Sequence, residues 1–472
     1  MPSTYDSVTQ PDSEIAIDRQ RAQRLIEREA IPFGLQNAFG ESFLGPYGVY
    51  LGAPKPLIAL LSTLPLLFGA LLQPLALTLM TRFRDRPKLL SFLTLAQALT
   101  WVPIIAIGYS GMSPEISGLA LLGAVLFYYL TGMMAGPIWH SLIGDLLKPE
   151  HRIDALSRRN IYTGSCMLFG FLVVGYLLRI AADRGLLLVG FVVTFSLAAL
   201  SRLVSSRMLR RHPNSDYESP AVESFSFWQF LERSYESNFL KFVLFVAVTN
   251  LAIHISAPFI TVYLLRDLRL DYTRYSLAIG SGFLLQLLVM RQWGAILQEV
   301  GSRRVLMIAT VGFAITPFLW LVSTSLWWLC FVSGIRGALS AGHQLSVSTF
   351  LFDAVTPAKR ARCVAYQSII NNFSIVIGAL CGGWIVSVVP RVEGLGMEGL
   401  QSDSNILLLF LLSGIVNIIT LAFLTSFREV REVQNRPTSS ILFQLTYLRR
   451  FGEVLVRVNG QEREESHKTH QS

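Results

Sequence analysis

The chain has 472 residues, of which 52% are hydrophobic and 15% charged, with a mean hydropathy of +0.48 and a formal net charge of +9. A water-soluble chain carries roughly 25% charged residues, so this composition excludes a soluble globule and implies a surface that faces lipid. The four cysteines (Cys166, Cys330, Cys363, Cys381) form no CxxC pair, which leaves zinc and disulfide frameworks unsupported.

In chain order, residues 1–32 come first as a polar segment of mixed charge, without the apolar core of a signal peptide. Twelve apolar blocks follow, at 33–54, 56–81, 88–109, 117–145, 160–182, 185–206, 240–265, 274–298, 303–323, 325–353, 364–389 and 404–427. A helix rises about 1.5 Å per residue, so about 20 residues cross a bilayer core of about 30 Å. No water is available there, so each block must satisfy its own backbone as a helix. The expected fold class is an all-α polytopic membrane protein with twelve transmembrane helices.

The longest internal loop divides these into an N-terminal six-helix half (33–206) and a C-terminal six-helix half (240–427). The linker between them, 207–239, opens with "RMLRRHPNSDYESPAVES" and closes on Phe225, Trp228, Phe230 and Leu231, the apolar face of an expected interfacial helix. A tail at 428–472 holds a comparable stretch at 441–458.

The positive charge follows the loops. Arg82, Arg84, Arg86 and Lys88 follow the second block, Lys148, Arg152, Arg158 and Arg159 the fourth, Arg303 and Arg304 the eighth, and Lys359, Arg360 and Arg362 the tenth. The alternate loops are poorer, except the seventh, where Arg266, Arg269 and Arg274 are offset in part by Asp267 and Asp271. Basic loops stay on the cytoplasmic side. Both termini are therefore expected in the cytoplasm, the protein multi-pass in a plasma or inner membrane. The charge is topology, and no nucleic-acid partner is expected.

Three matches recur in order between the halves. "GDLLKPEHR" (Gly144–Arg152) matches "FDAVTPAKR" (Phe352–Arg360), with Asp145, Pro149 and Arg152 answering Asp353, Pro357 and Arg360. "NAFGESFLGPYGVYL" from Asn37 aligns without a gap on "NLAIHISAPFITVYL" from Asn250. "LTLMTRFRDRPKLL" resembles "GAILQEVGSRRVLM", with Gly294, Gly301 and Arg303 in the second copy.

With these motifs the chain resembles the major facilitator superfamily of secondary transporters, from Phe33 to Phe427. It departs from that family's Gly-x-x-x-Asp-x-x-Gly-x-Arg loop. Gln298 replaces the acid in one copy, and Thr81 and Arg84 replace the acid and second Gly in the other, leaving Arg82, Asp85 and Arg86. The resemblance implies two pseudo-symmetric halves, a cavity lined by spans 1, 7 and 10, and alternating access. It also implies a cytoplasmic gate at Asp145, Arg152, Asp353 and Arg360, with Arg82, Arg86 and Arg303. The alternative is that each Asp and Arg only pins its own loop.

Ionisable residues within spans are costly and mark function. Glu41 in span 1 stands opposite His254 in span 7, and each follows an Asn by four residues (Asn37, Asn250) on the same helix face. Arg336 lies within span 10, with His343 seven residues on. Gln286, Asn371, Asn372, Gln97 and Gln73 are polar additions. Glu41, His254 and Arg336 are read as the substrate- and proton-handling set. The plainer alternative is a static Glu41–Arg336 ion pair. No cofactor or metal spacing appears, and no phosphate loop, nucleophile elbow or metalloprotease motif, so an enzyme is not expected. The expected function is proton-coupled or facilitative transport of a small solute, with its site at the midplane between the halves. The expected partners are that solute, the lipid bilayer and, where transport is coupled, H⁺, with the chain a monomer. The rival reading is a non-transporting sensor or scaffold with the same fold.

Overall fold

The computed structural model describes residues 12–83, 85–147, 149–214, 237–355, 357–388, 405–423 and 427–429. Among them, the chain is a bundle of helices. They are α1 (Asp12–Phe39), α2 (Lys55–Arg82), α3 (Arg86–Ile107, with a joint at Thr100), α4 (Pro114–Leu146), α5 (Pro149–Asp183) and α6 (Leu187–Arg210). The second set is α7 (Asn238–His254), α8 (Tyr272–Val300), α9 (Ser302–Leu319), α10 (Leu326–Ala354), α11 (Pro357–Val388) and α12 (Ile406–Phe423).

Local chemistry sets several of these ends. Asp85, Ser113, Ser237 and Asp271 cap α3, α4, α7 and α8, each side chain accepting a hydrogen bond from a backbone N–H three residues on. Such caps satisfy donors that a helix start otherwise leaves orphaned. Two crossings are not straight helices. α1 breaks at Gly40 and continues through Glu41–Phe43 and Leu44–Tyr50. α7 breaks after His254 and continues through Ala257–Phe259 and Ile260–Val262 into a widened turn, Tyr263–Asp267. A Cβ at Gly40 would overlap the ring of the fully buried Trp101, so only glycine fits this break.

Ten of the described helical segments are long and apolar enough to cross a membrane, and the chain is a multi-pass integral membrane protein. The two crossings outside that set are the α1 crossing and α10. These carry Glu41 and Arg336. Large apolar side chains face outward on the bundle, Trp327 at 83% exposure and Phe92 and Phe169 at 68% each, as lipid contact allows and water does not.

The packing repeats. α1 lies on α5 and α6 as α7 lies on α11 and α12; α2 pairs with α4 as α8 pairs with α10; α3 touches α4 and α6 as α9 touches α10 and α12. Between the halves, α2 packs on α11 and α5 on α8, the same pairing exchanged. Adding six to each number maps one half onto the other, the signature of a two-fold pseudo-symmetry.

The expected boundary at residue 33 falls inside a helix: α1 begins at Asp12, and Ile26, Glu29 and Ala30 are buried. Two of its acids are held by neighbours, Glu27 by Arg158 and Glu29 by Arg159. α6 runs on to Arg210, and the expected interfacial helix of the linker and the apolar stretch of the tail lie outside the described residues.

Candidate functional site

The face that carries Arg86 and Arg303 is here the basic face. At the other face the halves meet. One apolar core joins Phe43, Tyr47 and Phe171 of the first half with Phe259, Tyr263 and Tyr275 of the second. Lys55 bridges to Asp267 at 3.5 Å and donates to Asn405 Oδ1 at 3.2 Å, and Thr273 donates to the Gly175 carbonyl. Towards the basic face, the described core clusters each stay within a single half. Among the described residues, the one apolar core that joins the two halves thus lies at the face opposite the basic one.

Glu41 sits in the N-terminal half. Tyr129 Oη donates to its Oε1 at 2.6 Å and Tyr128 Oη to its Oε2 at 3.3 Å; Gln36 donates in turn to Tyr128 Oη. Beneath lies Arg202, whose charge acts on Glu41. Arg202 Nε donates to Gln97 Oε1 at 2.6 Å and Nη1 to Ser205 Oγ at 3.2 Å, and Ser205 donates to Glu29 Oε1 at 2.6 Å. Arg159 approaches the other Glu29 oxygen at 3.5 Å and stacks over Phe33 and Trp139. Carboxylate, guanidinium, carboxylate and guanidinium alternate from mid-membrane towards the basic face. Such a network is stable only when its members are satisfied.

Arg336 sits in the C-terminal half and is not paired with Glu41, whose described partners all belong to the first half. The static Glu41–Arg336 ion pair is therefore absent from this arrangement. Arg336 shares a helix face with Ser333, Gly337 and Ser340. Gly337 lets α10 approach the backbone of α8 at Gly282, where a Cβ would clash. Arg336 lines a cavity of about 190 Å³ with Gln286, Phe283, Trp320, Ser333 and Ser340. It also lines a smaller pocket of about 20 Å³ shared with Ser256, Ser413 and Asn417. Ser333 Oγ and Asn417 Oδ1 are buried without a described partner.

The other expected residues fall unevenly. His254 lies within the field of Arg336, and its Nδ1 is 2.8 Å from the Asn250 carbonyl one turn back. Gln286 lines the larger cavity and donates to Gln344 at 3.3 Å. His343 lines neither cavity and packs its ring against Phe313. Asn371 keeps a buried Oδ1 without a partner, and Asn372 donates to the Ser368 carbonyl. The Asn37 carbonyl accepts from Ser42. Gln97 belongs to the Arg202 network, and the side chain of Gln73 lies outside the described residues.

The repeated loops behave differently from each other. Arg86, fully buried, donates to Asp145 at 2.7 Å and to Ser141 at 2.8 Å, all within the N-terminal half. This contact pins the start of α3 to α4. Asp353 is exposed with no described partner, and the Arg303 backbone N–H donates to Glu429 at 2.7 Å. Arg82 is exposed, and the side chains of Arg152 and Arg360 lie outside the described residues.

Sequence reading missed Arg202, Glu29, Tyr128 and Tyr129, and the contact of Lys55 with Asp267. Arg202 precedes the basic run Arg207, Arg210 and Arg211 and reads as part of a helix end. The tyrosine pair in "LFYYL" has a signal, adjacent hydroxyls at mid-span, but no sequence rule aims them at Glu41.

Comparison with known proteins bears on the same region. The family model described as Major Facilitator Superfamily matches residues 240–455. The quinolone resistance protein NorA of Staphylococcus aureus (strain MRSA252) is 27% identical over 143 residues, 30% of this chain; the chain spans 36% of that relative's length. Among solved structures, the nucleoside transporter NupG superposes with a TM-score of 0.64 at 13% identity, covering 86% of this chain and 98% of its own. A D-xylose-proton symporter does so with a TM-score of 0.65 at 13% identity, covering 88% and 99%. At such identities the superpositions carry the fold alone.

Proposed function

We propose that this chain, whose residues 240–455 match the Major Facilitator Superfamily model, is a secondary transporter moving a small solute by alternating access. The observation that carries this is the divided core: one apolar cluster spans both halves at one face, while the clusters at the other stay apart. A seam sealed at one end and parted at the other is half of an alternating-access cycle. With the basic face in the cytoplasm, this arrangement is open inward. Rocking about the α2–α11 and α5–α8 contacts would exchange the seal, with Lys55 releasing Asp267 and Asn405. The fold shared with the nucleoside transporter NupG and a D-xylose-proton symporter supports the same reading.

Glu41 is the group proposed to carry a coupling proton. Protonated, it needs no cation nearby and can donate; ionised, it accepts from Tyr128 and Tyr129 within the field of Arg202. Because the two tyrosine hydroxyls rotate, both states can be hydrogen-bonded without moving the backbone. Arg336 and the cavity around it are proposed to hold the solute.

The test is uptake by proteoliposomes over a panel of solute classes, with and without an imposed pH gradient. The proposal expects accumulation of at least one class, driven by the gradient in wild type and lost in Glu41→Gln. Accumulation unchanged in Glu41→Gln would remove this residue from the proton path. Binding with no movement of any class would favour a sensor.

A further inference from the structure

Arg336 differs from the other buried cations of this chain. Arg86 meets Asp145, Arg159 meets Glu29, and Arg202 is held by Gln97 and Ser205. Arg336 alone of these four has no described acceptor. Neither cavity that it lines contains a carboxylate. His254, its titratable neighbour, brings no negative charge.

The surroundings are those of a receptor. Ser333, three residues before Arg336 on the same helix face, has a buried hydroxyl with no partner. The Gln286 amide lies across the cavity, and Ile260, Ile279, Phe283 and Trp320 form apolar walls. A guanidinium offers two parallel N–H donors that match a carboxylate or a phosphate. The volume of about 190 Å³ exceeds the roughly 150 Å³ that holds a benzene ring. It falls short of the roughly 300–1,000 Å³ of drug-sized sites.

We infer that this cavity takes a small organic anion, its carboxylate or phosphate on Arg336 and Ser333 and its compact apolar body against Trp320 and Phe283. This anion is the substrate class of the transport proposed above, on which reading the assignment rests. The ligand supplies the counter-charge that the chain withholds.

The test uses the purified full-length chain and four probes of similar shape: benzoate, phenyl phosphate, neutral benzamide and cationic benzylammonium. Thermal unfolding and tryptophan fluorescence report binding, since Trp320 lines the site. At least one of benzoate and phenyl phosphate should raise Tm in a saturable way, the pair telling carboxylate from phosphate preference, while benzamide and benzylammonium should not. Arg336→Gln should weaken the anion roughly 10–100-fold, the loss of charge-assisted hydrogen bonds, without lowering the ligand-free Tm. Arg336→Lys keeps the charge, loses the fork and should fall between, which guards against a folding defect in the first variant. Equal stabilisation by benzamide, or unchanged anion affinity in Arg336→Gln, overturns the assignment. Reconstitution separates the two readings. Anion bound through Arg336 but not moved across proteoliposomes overturns transport and leaves the anion site. Movement of benzylammonium that Arg336→Gln leaves untouched overturns the anion site and leaves transport.

Discussion

In the N-terminal half, Glu41 has two tyrosines, Glu29 has Ser205 and Arg159, and Arg202 has Gln97 and Ser205. In the C-terminal half, Arg336 has no described acceptor, and Ser333 Oγ and Asn417 Oδ1 are buried without a described partner, while the Asn417 amide donates to the Ser413 carbonyl at 2.8 Å. The two halves share one packing pattern, so the difference is not one of architecture. An unsatisfied buried polar group costs about 1–3 kcal/mol, and the C-terminal half carries Ser333 Oγ in the wall of one cavity beside Arg336 and Asn417 Oδ1 in the wall of the other. The buried charges Glu41, Glu29, Arg202 and Arg159 of one half thus answer one another, whereas Arg336 of the other is open to the proposed solute.

Removing an arginine from each half is the sharpest way to break this comparison. Arg202→Gln leaves Glu29 and Glu41 short of a cation and should cost about 3–5 kcal/mol, the range for breaking a buried charge network. Arg336→Gln removes a charge that nothing answers and should cost nothing measurable. Unfolding of both variants in detergent, followed by tryptophan fluorescence, checks the contrast. Equal losses would mean that Arg336 has a structural partner after all.

A smaller effect concerns the break in α1. Gly40→Ala drives a methyl into Trp101 and should destabilise by about 1–3 kcal/mol, as overpacking does. Gly136, in α4, has open space where its Cβ would be. Gly136→Ala should be neutral or stabilising by up to about 1 kcal/mol, from helix propensity alone. Similar losses in both would place the strain elsewhere than at the Gly40–Trp101 contact.

The smallest expected effect separates a seal from a pin. Lys55–Asp267 joins the halves, whereas Arg86–Asp145 stays within one. Asp267→Asn should shift the population towards outward-open by about 0.2–1 kcal/mol, the worth of a partly exposed pair. The readout is faster labelling of Ser340→Cys by an impermeant reagent from the outside, in a background without the native cysteines. Asp145→Asn should lower stability and leave that labelling unchanged. A shift from Asp145→Asn instead would restore the gate that the repeated loops suggested.

Much of the fold was legible because hydropathy needs no tertiary partner. Long apolar blocks must be helices in a bilayer, and the repeats from Asn37 and Asn250 already paired the halves. The start of α1 was not legible, because Glu27 and Glu29 look solvated until Arg158, Arg159 and Ser205 are beside them. Glu41 and Arg336 stood out as lone charges at membrane depth. Their separation into two environments did not, since sequence does not say which helix face meets which. Arg202 was hidden by its basic neighbours, and the contact of Asp145 with Arg86 was not legible, because the repeated loops set Asp145 beside Arg152 and left gate and pin both open.

The central claim, coupling in one half and solute binding in the other, is tested most directly by solute exchange without a gradient. Glu41→Gln and Arg336→Gln are compared in proteoliposomes preloaded with the transported solute. Glu41→Gln should exchange the solute at near wild-type rate while failing to accumulate it against a pH gradient. Arg336→Gln should lose exchange and accumulation together. Retained exchange in Arg336→Gln, or equal loss of exchange in both variants, would contradict the division of labour between the halves.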